Sequence, residues 1–145
     1  MADKNIKTYK VLDKKPVVSD PIRLLLVDDE RGFIDVVTKR LRIRNIDVAN
    51  AFSGTEAIQK LRKNDFDVVI LDLKMEDMDG IEVLKTLKKM DPGISVLMLT
   101  GHGSEQAARE GIRYGAIDYL TKPCEFETLL EKIHDAYNKK KQDII

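Results

Sequence analysis

The run Val68-Val69-Ile70-Leu71-Asp72 restricts the fold most strongly, because four apolar residues, three of them β-branched, are followed directly by an acid. A strand without polar alternation is buried on both faces, which is typical of a parallel sheet covered by helices. A carboxylate at the carboxyl end of such a strand lies in the crevice where open α/β sheets bind ligands. A lone acid there is more often a helix cap or a solvated strand end, so the role of Asp72 depends on its surroundings.

The rest of the chain alternates between strand and helix patterns. Apolar runs predict five strands, over residues 22–27, 46–49, 68–72, 94–99 and 117–120. Apolar residues at helical spacing, with capping residues before them, predict five helices. The first covers residues 31–44, the second begins at Ser53, the third at Asp79, the fourth runs from Ser104 to about Gly115, and the fifth begins at Phe126. Because the connections are short, this pattern predicts a parallel sheet with helices on both faces.

Length and composition set the broad class. A chain of 145 residues forms one domain, which we place at residues 22–141, between an N-terminal tail (1–21) and a short C-terminal end (142–145). The 25 basic and 25 acidic residues cancel, which argues against direct nucleic-acid binding. One cysteine, Cys124, excludes an intrachain disulfide. Without a membrane-length apolar run or a signal peptide, we expect a soluble cytoplasmic protein.

Polar side chains follow four of the predicted strands: Asp28 and Asp29, then Asp72, Thr100 and Lys122. The carboxyl ends of parallel strands share one edge, so these groups should converge. Converging carboxylates repel one another, and a hard divalent cation such as Mg²⁺ relieves that repulsion. A cation, an ammonium and a hydroxyl around a carboxylate suit a phosphoryl group, and carboxylates form aspartyl-phosphates as nucleophiles.

Four short motifs carry a family resemblance: Val27-Asp28-Asp29-Glu30; Leu71-Asp72-Leu73-Lys74-Met75 with Asp79-Gly80; Leu99-Thr100-Gly101; and residues 115–123, from Gly115 to Pro123. In this order and spacing, the chain resembles the receiver domain of two-component response regulators over roughly residues 22–141. The resemblance implies a flavodoxin-like (βα)5 fold with strand order 2-1-3-4-5.

The resemblance also implies a site. Asp72 would accept a phosphoryl group from a histidine kinase or histidine phosphotransfer protein. Mg²⁺ would be bound by Asp28 or Asp29, with Asp29 favoured, together with Asp72 and the backbone carbonyl of Lys74. Lys122 would contact the phosphoryl group. Such a regulator catalyses only its own phosphorylation and dephosphorylation.

A switch is implied as well. Thr100 would move toward the phosphate and Tyr119 would rotate inward behind it, and the bond between Lys122 and Pro123 would be cis. The face formed by helix 4, strand 5 and helix 5 would then control an output protein or output domain, with dimerisation on phosphorylation left open. The residues expected to line that face are Gln106, Arg109, Glu110, Arg113 and Tyr114, followed by Tyr119.

Three positions leave alternatives open. Glu76 stands where the family usually has proline, which predicts a less rigid and more acidic loop. Phe33 lies beside the buried stripe of the first helix, as a core edge or as a contact for the kinase partner. Gly111 lies inside helix 4, where glycine weakens the helix by on the order of 1 kcal/mol relative to alanine. It indicates either a helix ready to shift or close packing against the sheet.

Two other functions share this fold. A flavin or nucleotide-binding protein would need a phosphate loop rich in Ser, Thr and Gly after strand 1, whereas Asp28-Asp29-Glu30 would repel phosphate. A receiver that only binds partners would be expected to have lost an acid, Thr100 or Lys122, and all are present. Whether the chain is a stand-alone regulator or a receiver excised from a longer protein is left open.

Overall fold

Five parallel strands form one sheet in the order β2-β1-β3-β4-β5, which confirms the predicted flavodoxin-like topology. The computed structural model describes residues 20–101 and 105–144, so most of the predicted tail and the predicted start of helix 4 at Ser104 lie outside the described residues. The strands are β1 (Arg23–Val27), β2 (Asp47–Ala51), β3 (Val68–Asp72), β4 (Ser95–Thr100) and β5 (Asp118–Thr121).

Helices cover both faces of this sheet. They are α1 (Arg31–Ile43), α2 (Gly54–Lys63), α3 (Gly80–Met90), α4 (Glu105–Arg113) and α5 (Phe126–Ile144). Helices α1 and α5 pack on one face, whereas α2, α3 and α4 pack on the other. No helix within the described residues is long and apolar enough to cross a membrane.

The central strand β3 is buried along its whole length, as its lack of polar alternation predicts. Val69 and Leu71 point into the core beneath α2, α3 and α4. Val68 and Ile70 point into the core beneath α1 and α5. This two-sided burial fixes β3 in the middle of the sheet and sets Asp72 at its carboxyl edge.

Strands β1, β2, β4 and β5 begin one residue later than predicted, and β2, β4 and β5 also run beyond their predicted ends. Thr100 pairs with Thr121 as the last register pair of β4 and β5, and Ala51 pairs with Val27 at the end of β2 and β1. Backbone pairing does not depend on side-chain polarity, so it extends past the point at which the apolar pattern stops. The polar strand ends therefore belong to the sheet itself.

Helix ends follow their sequence signals closely. Asn45 follows α1 in the left-handed region, with a φ of 64°. Ser53 caps α2 by accepting the Glu56 N–H at 3.0 Å, as a capping box requires. The reciprocal bond reaches one residue further out, because the Glu56 carboxylate accepts from the Phe52 N–H at 2.8 Å.

Gly111 lies where α4 crosses β4. A β-carbon at this position would collide with the thioether sulfur and methyl group of Met98, which is fully buried in β4. The structure thus supports the close-packing interpretation of this glycine.

The β3–α3 loop, residues 73–79, folds back on itself beside the carboxyl edge of the sheet. Lys74 and Asp79 form an isolated antiparallel bridge at its base. A β-carbon on Gly80 would lie 2.6 Å from the Leu73 Cα and 2.7 Å from the Leu73 carbonyl oxygen. A rotamer change cannot relieve such contacts with backbone atoms, so any larger residue at this position must displace the Leu73 backbone.

We expect Gly80→Ala to lower the free energy of unfolding by about 1–3 kcal/mol, because the added methyl group must push the Leu73 backbone away. Gly32→Ala is the matched control. Gly32 also lies in the first turn of a helix, but a β-carbon there would meet nothing within 4 Å. Urea denaturation of both variants measures the difference, and equal stabilities would contradict the role of Gly80 in loop closure.

Candidate functional site

Three carboxylates meet at the carboxyl edge of the sheet. Asp28 follows β1, Asp72 ends β3, and these strands are neighbours. One carboxylate oxygen from each of Asp28, Asp29 and Asp72 lies within 4.8 Å of the others. Asp28 is fully buried, Asp72 is 5% exposed, and Asp29 is exposed to solvent. The predicted convergence of the three acids is therefore present.

Backbone groups fix one oxygen of each buried acid. The Glu30 N–H donates to Asp28 Oδ1 at 2.9 Å, and the Lys74 N–H donates to Asp72 Oδ1 at 3.1 Å. The loop after each strand thus turns back toward the acid that precedes it. The second oxygens of Asp28 and Asp72 both face the Lys122 ammonium.

Lys122 supplies the positive charge of the site. Its ammonium nitrogen lies 2.6 Å from Asp28 Oδ2, 2.8 Å from Glu30 Oε1 and 3.9 Å from Asp72 Oδ2. Burial disfavours the charged ammonium, but the hydrogen bonds to Asp28 and Glu30 outweigh burial and raise the pKa of Lys122. The Lys122–Pro123 bond is cis, as the resemblance implies.

Burial raises the pKa of Asp72 to about 6. The Lys74 N–H and the Lys122 ammonium oppose this rise, and the charge on Asp28 adds to it. The Lys122 ammonium contacts the carboxylates of Asp28, Glu30 and Asp72. Asp29 adds a fourth carboxylate to the cluster, which therefore favours additional positive charge. Its oxygen-only donor set is the kind that Mg²⁺ binds.

Thr100 and Tyr119 lie on the neighbouring strands β4 and β5. Thr100 is fully buried, and its hydroxyl donates to the Leu120 carbonyl at 3.3 Å. The Tyr119 ring is half-buried and packs against the core beneath α2, α3 and α4. The Lys122 N–H donates to the Thr100 carbonyl at 2.7 Å. This backbone hydrogen bond links the end of β4 to the lysine that pairs with the acid cluster.

The predicted docking residues fall in two separate places. Phe33 is half-buried at the edge of the α1 and α5 core, and the Lys122 ammonium lies 4.4 Å from the centre of its ring. Arg109, Arg113 and Tyr114 are exposed on or just after α4, on the other face of the sheet. Phe33 therefore lies beside Lys122 of the acid cluster. Arg109, Arg113 and Tyr114 belong to the opposite face of the sheet.

Sequence reasoning assigned no role to two residues that the structure ties to this region. Glu30 is the exposed partner of Lys122. Asp77, in the β3–α3 loop, accepts hydrogen bonds from Gly54 and Thr55 at the start of α2. The acidic motif after β1 could have indicated Glu30, but no local pattern links Asp77 to residues more than twenty positions earlier.

The family model of the response regulator receiver domain matches residues 24–134. The chain belongs to this family, whose members are phosphorylation-activated switches in two-component signalling. Receiver domains bind Mg²⁺ through an acidic pocket, and the cluster of Asp28, Asp29 and Asp72 is of that kind.

Comparisons with individual proteins agree with this family assignment. The chain is 38% identical to the transcriptional regulatory protein ZraR of Escherichia coli (strain K12), over 81% of this chain and 26% of that protein. It is 39% identical to the transcriptional regulatory protein TrcR of Mycobacterium tuberculosis, over 78% of this chain and 44% of that protein. The crystal structure of a receiver domain protein from Clostridium thermocellum superposes with a TM-score of 0.80 at 35% identity, covering 83% of this chain and 98% of that one. The chain thus spans less than half the length of these two curated relatives.

The raised pKa of Asp72 predicts a pH effect on stability in Mg²⁺-free buffer. Folded Asp72 holds its proton up to about pH 6, whereas the unfolded chain releases it near its ordinary value of 3.8. The contribution of Asp72 to the free energy of unfolding therefore falls as the pH rises from about 4 to about 6. Asp72→Asn removes this loss, so we expect the variant to be about 3 kcal/mol more stable than wild type at pH 7 and close to it near pH 4. Urea titrations across this range test the difference, and parallel pH profiles would contradict it.

Proposed function

We propose that Asp72 is the phosphoacceptor of this receiver domain, which extends over residues 22–141. The observation that carries the proposal is the nearly buried Asp72 carboxylate, with two further carboxylates and the Lys122 ammonium around it. An Asp72 oxygen attacks the phosphorus of a phosphohistidine, the new O–P bond forms as the N–P bond breaks, and the histidine nitrogen leaves with the electron pair. Attack by water on the aspartyl-phosphate later returns the free carboxylate and inorganic phosphate.

The acid cluster would hold Mg²⁺ through Asp28, Asp29, Asp72 and the backbone carbonyl of Lys74. The metal, when bound, supplies the positive charge that neutralises the phosphoryl oxygens. Asp29 is the exposed acid of the three, so it faces the solvent side from which an ion enters. Lys122 would exchange part of its contact with Glu30 for a phosphoryl oxygen, since the Glu30 side chain is exposed and water can replace the ammonium as its partner.

The switch in this proposal uses Thr100 and Tyr119. The Thr100 hydroxyl leaves the Leu120 carbonyl and donates to the phosphoryl group, and the Tyr119 ring turns inward behind it. Support comes from the placement of both residues on adjacent strands that end at the acid cluster. The changed surface is the face of α4, β5 and α5, with Arg109, Arg113 and Tyr114 exposed to a partner.

A histidine kinase or histidine phosphotransfer protein is the proposed donor. The relatives named as transcriptional regulators indicate that the output is gene control. Because those proteins are longer than this chain, any contact with DNA would belong to an output domain or to a separate output protein. The chain as a whole has a formal net charge of zero, so no excess of positive charge favours nucleic acid.

Acetyl phosphate with Mg²⁺ should add one phosphoryl group to the wild-type chain, as read by intact mass. Asp72→Asn should gain none, because the amide cannot act as the nucleophile, and EDTA should abolish the gain in wild type. A wild-type chain that stays unmodified, or equal modification of the variant, would contradict the assignment of Asp72 as the phosphoacceptor.

Phe33→Ala should slow phosphotransfer from the cognate kinase or phosphotransfer protein. Since the ring also lies against the Lys122 ammonium, we expect a loss of about two- to five-fold with acetyl phosphate as well. Phe33→Tyr keeps an aromatic face and serves as the control. Slowing confined to the protein donor would assign Phe33 to docking alone, and unchanged rates with both donors would remove both roles.

A further inference from the structure

One carboxylate ties the β3–α3 loop to a helix that is distant in sequence. Asp77 Oδ1 accepts the Gly54 N–H at 3.0 Å, and Asp77 Oδ2 accepts both the N–H and the hydroxyl of Thr55 at 3.0 Å. These bonds span 22 and 23 residues. Both carboxylate oxygens are engaged, so the loop tip is held to α2 at two points.

The start of α2 is well suited to hold this carboxylate. The first N–H groups of a helix have no partner within the helix and carry partial positive charge. Ser53 caps the Glu56 N–H, while Asp77 takes the N–H groups of Gly54 and Thr55. Hydrogen bonds from the Thr55 and Gly54 N–H groups accordingly lower the pKa of Asp77.

The base of the same loop reaches the acid cluster. The Lys74 N–H donates to Asp72 Oδ1 at 3.1 Å, and the bridge between Lys74 and Asp79 closes the loop. Gly80 packs directly on the Leu73 backbone. The base is thus fixed by backbone contacts, and the tip, where Glu76 replaces the proline expected from the resemblance, is fixed by Asp77.

We propose that Asp77 is a positioning residue that orients the β3–α3 loop so that the Lys74 carbonyl faces the metal site. This inference rests on the proposed function, in which Lys74 supplies a backbone ligand to Mg²⁺. The bonds from Asp77 to α2 take the place of a rigid residue at the loop tip. Mg²⁺ binding and order at the start of α2 are then coupled, since each stabilises the same loop conformation.

The test compares three variants of the full chain. Asp77→Ala removes all three hydrogen bonds, and Asp77→Asn keeps one oxygen acceptor. Glu76→Ala is the matched control, because it removes the same charge from the same exposed loop tip and, within the described residues, Glu76 makes no hydrogen bond or ion pair. Calorimetric titration gives the Mg²⁺ dissociation constant, and amide hydrogen exchange at Gly54 and Thr55 reports on the tether.

We expect Asp77→Ala to raise the Mg²⁺ dissociation constant by about three- to ten-fold relative to Glu76→Ala and to speed exchange at Gly54 and Thr55. Mg²⁺ should slow that exchange in wild type but not in Asp77→Ala. Asp77→Asn should fall between wild type and alanine, and it carries the test if the alanine variant does not fold.

Two outcomes would overturn the inference alone. Faster exchange with Mg²⁺ affinity equal to that of Glu76→Ala would make Asp77 only a cap for α2, and unchanged exchange would show that the tether does not exist in solution. A wild-type chain that binds no Mg²⁺ and accepts no phosphoryl group would instead overturn the proposed function, and the inference with it.

Discussion

The burial of two neighbouring carboxylates, Asp28 and Asp72, is the constraint on which the site depends. Strand order places β1 beside β3, so two acids that are distant in sequence end on adjacent strands. Burying unpaired charge is costly, and a buried acid without a partner would take up a proton. Lys122, from the far side of β4, reaches both acids and reduces this cost. The charge balance still favours a further cation.

The two buried acids are held by the same local device. Each accepts the N–H of the residue two positions later, Glu30 in one loop and Lys74 in the other. An aspartate side chain bonds readily to backbone two residues on, and this bends the chain as it leaves the strand. The turn therefore does two things at once. It stabilises the charged carboxylate, and it carries the following loop around the edge of the acid cluster.

Sequence patterns predicted the sheet and the acid cluster because both depend on local signals. Apolar runs identify buried strands, and residues at the ends of parallel strands must share an edge. The pairing of Thr100 with Thr121 escaped prediction, since backbone pairing continues where apolarity stops. The contact of Phe33 with Lys122 and the tether of Asp77 join segments whose separation in sequence has no periodic signature. Such contacts follow from packing, which pattern alone does not determine.

Packing also differs between the helices that could transmit a change at the site. The buried residues of α4 in the described structure are Ala108 and Gly111, whereas α3 buries larger side chains such as Leu84 and Leu87. Hydrophobic stabilisation scales with apolar area, so α4 gains little from its present position. The close contact of Gly111 with Met98 determines the position of α4 but buries little apolar side-chain area. An element with few buried apolar contacts has low local stability. Helix α4 also contacts β5, the strand that contains Tyr119. Close packing and readiness to move are therefore compatible at Gly111.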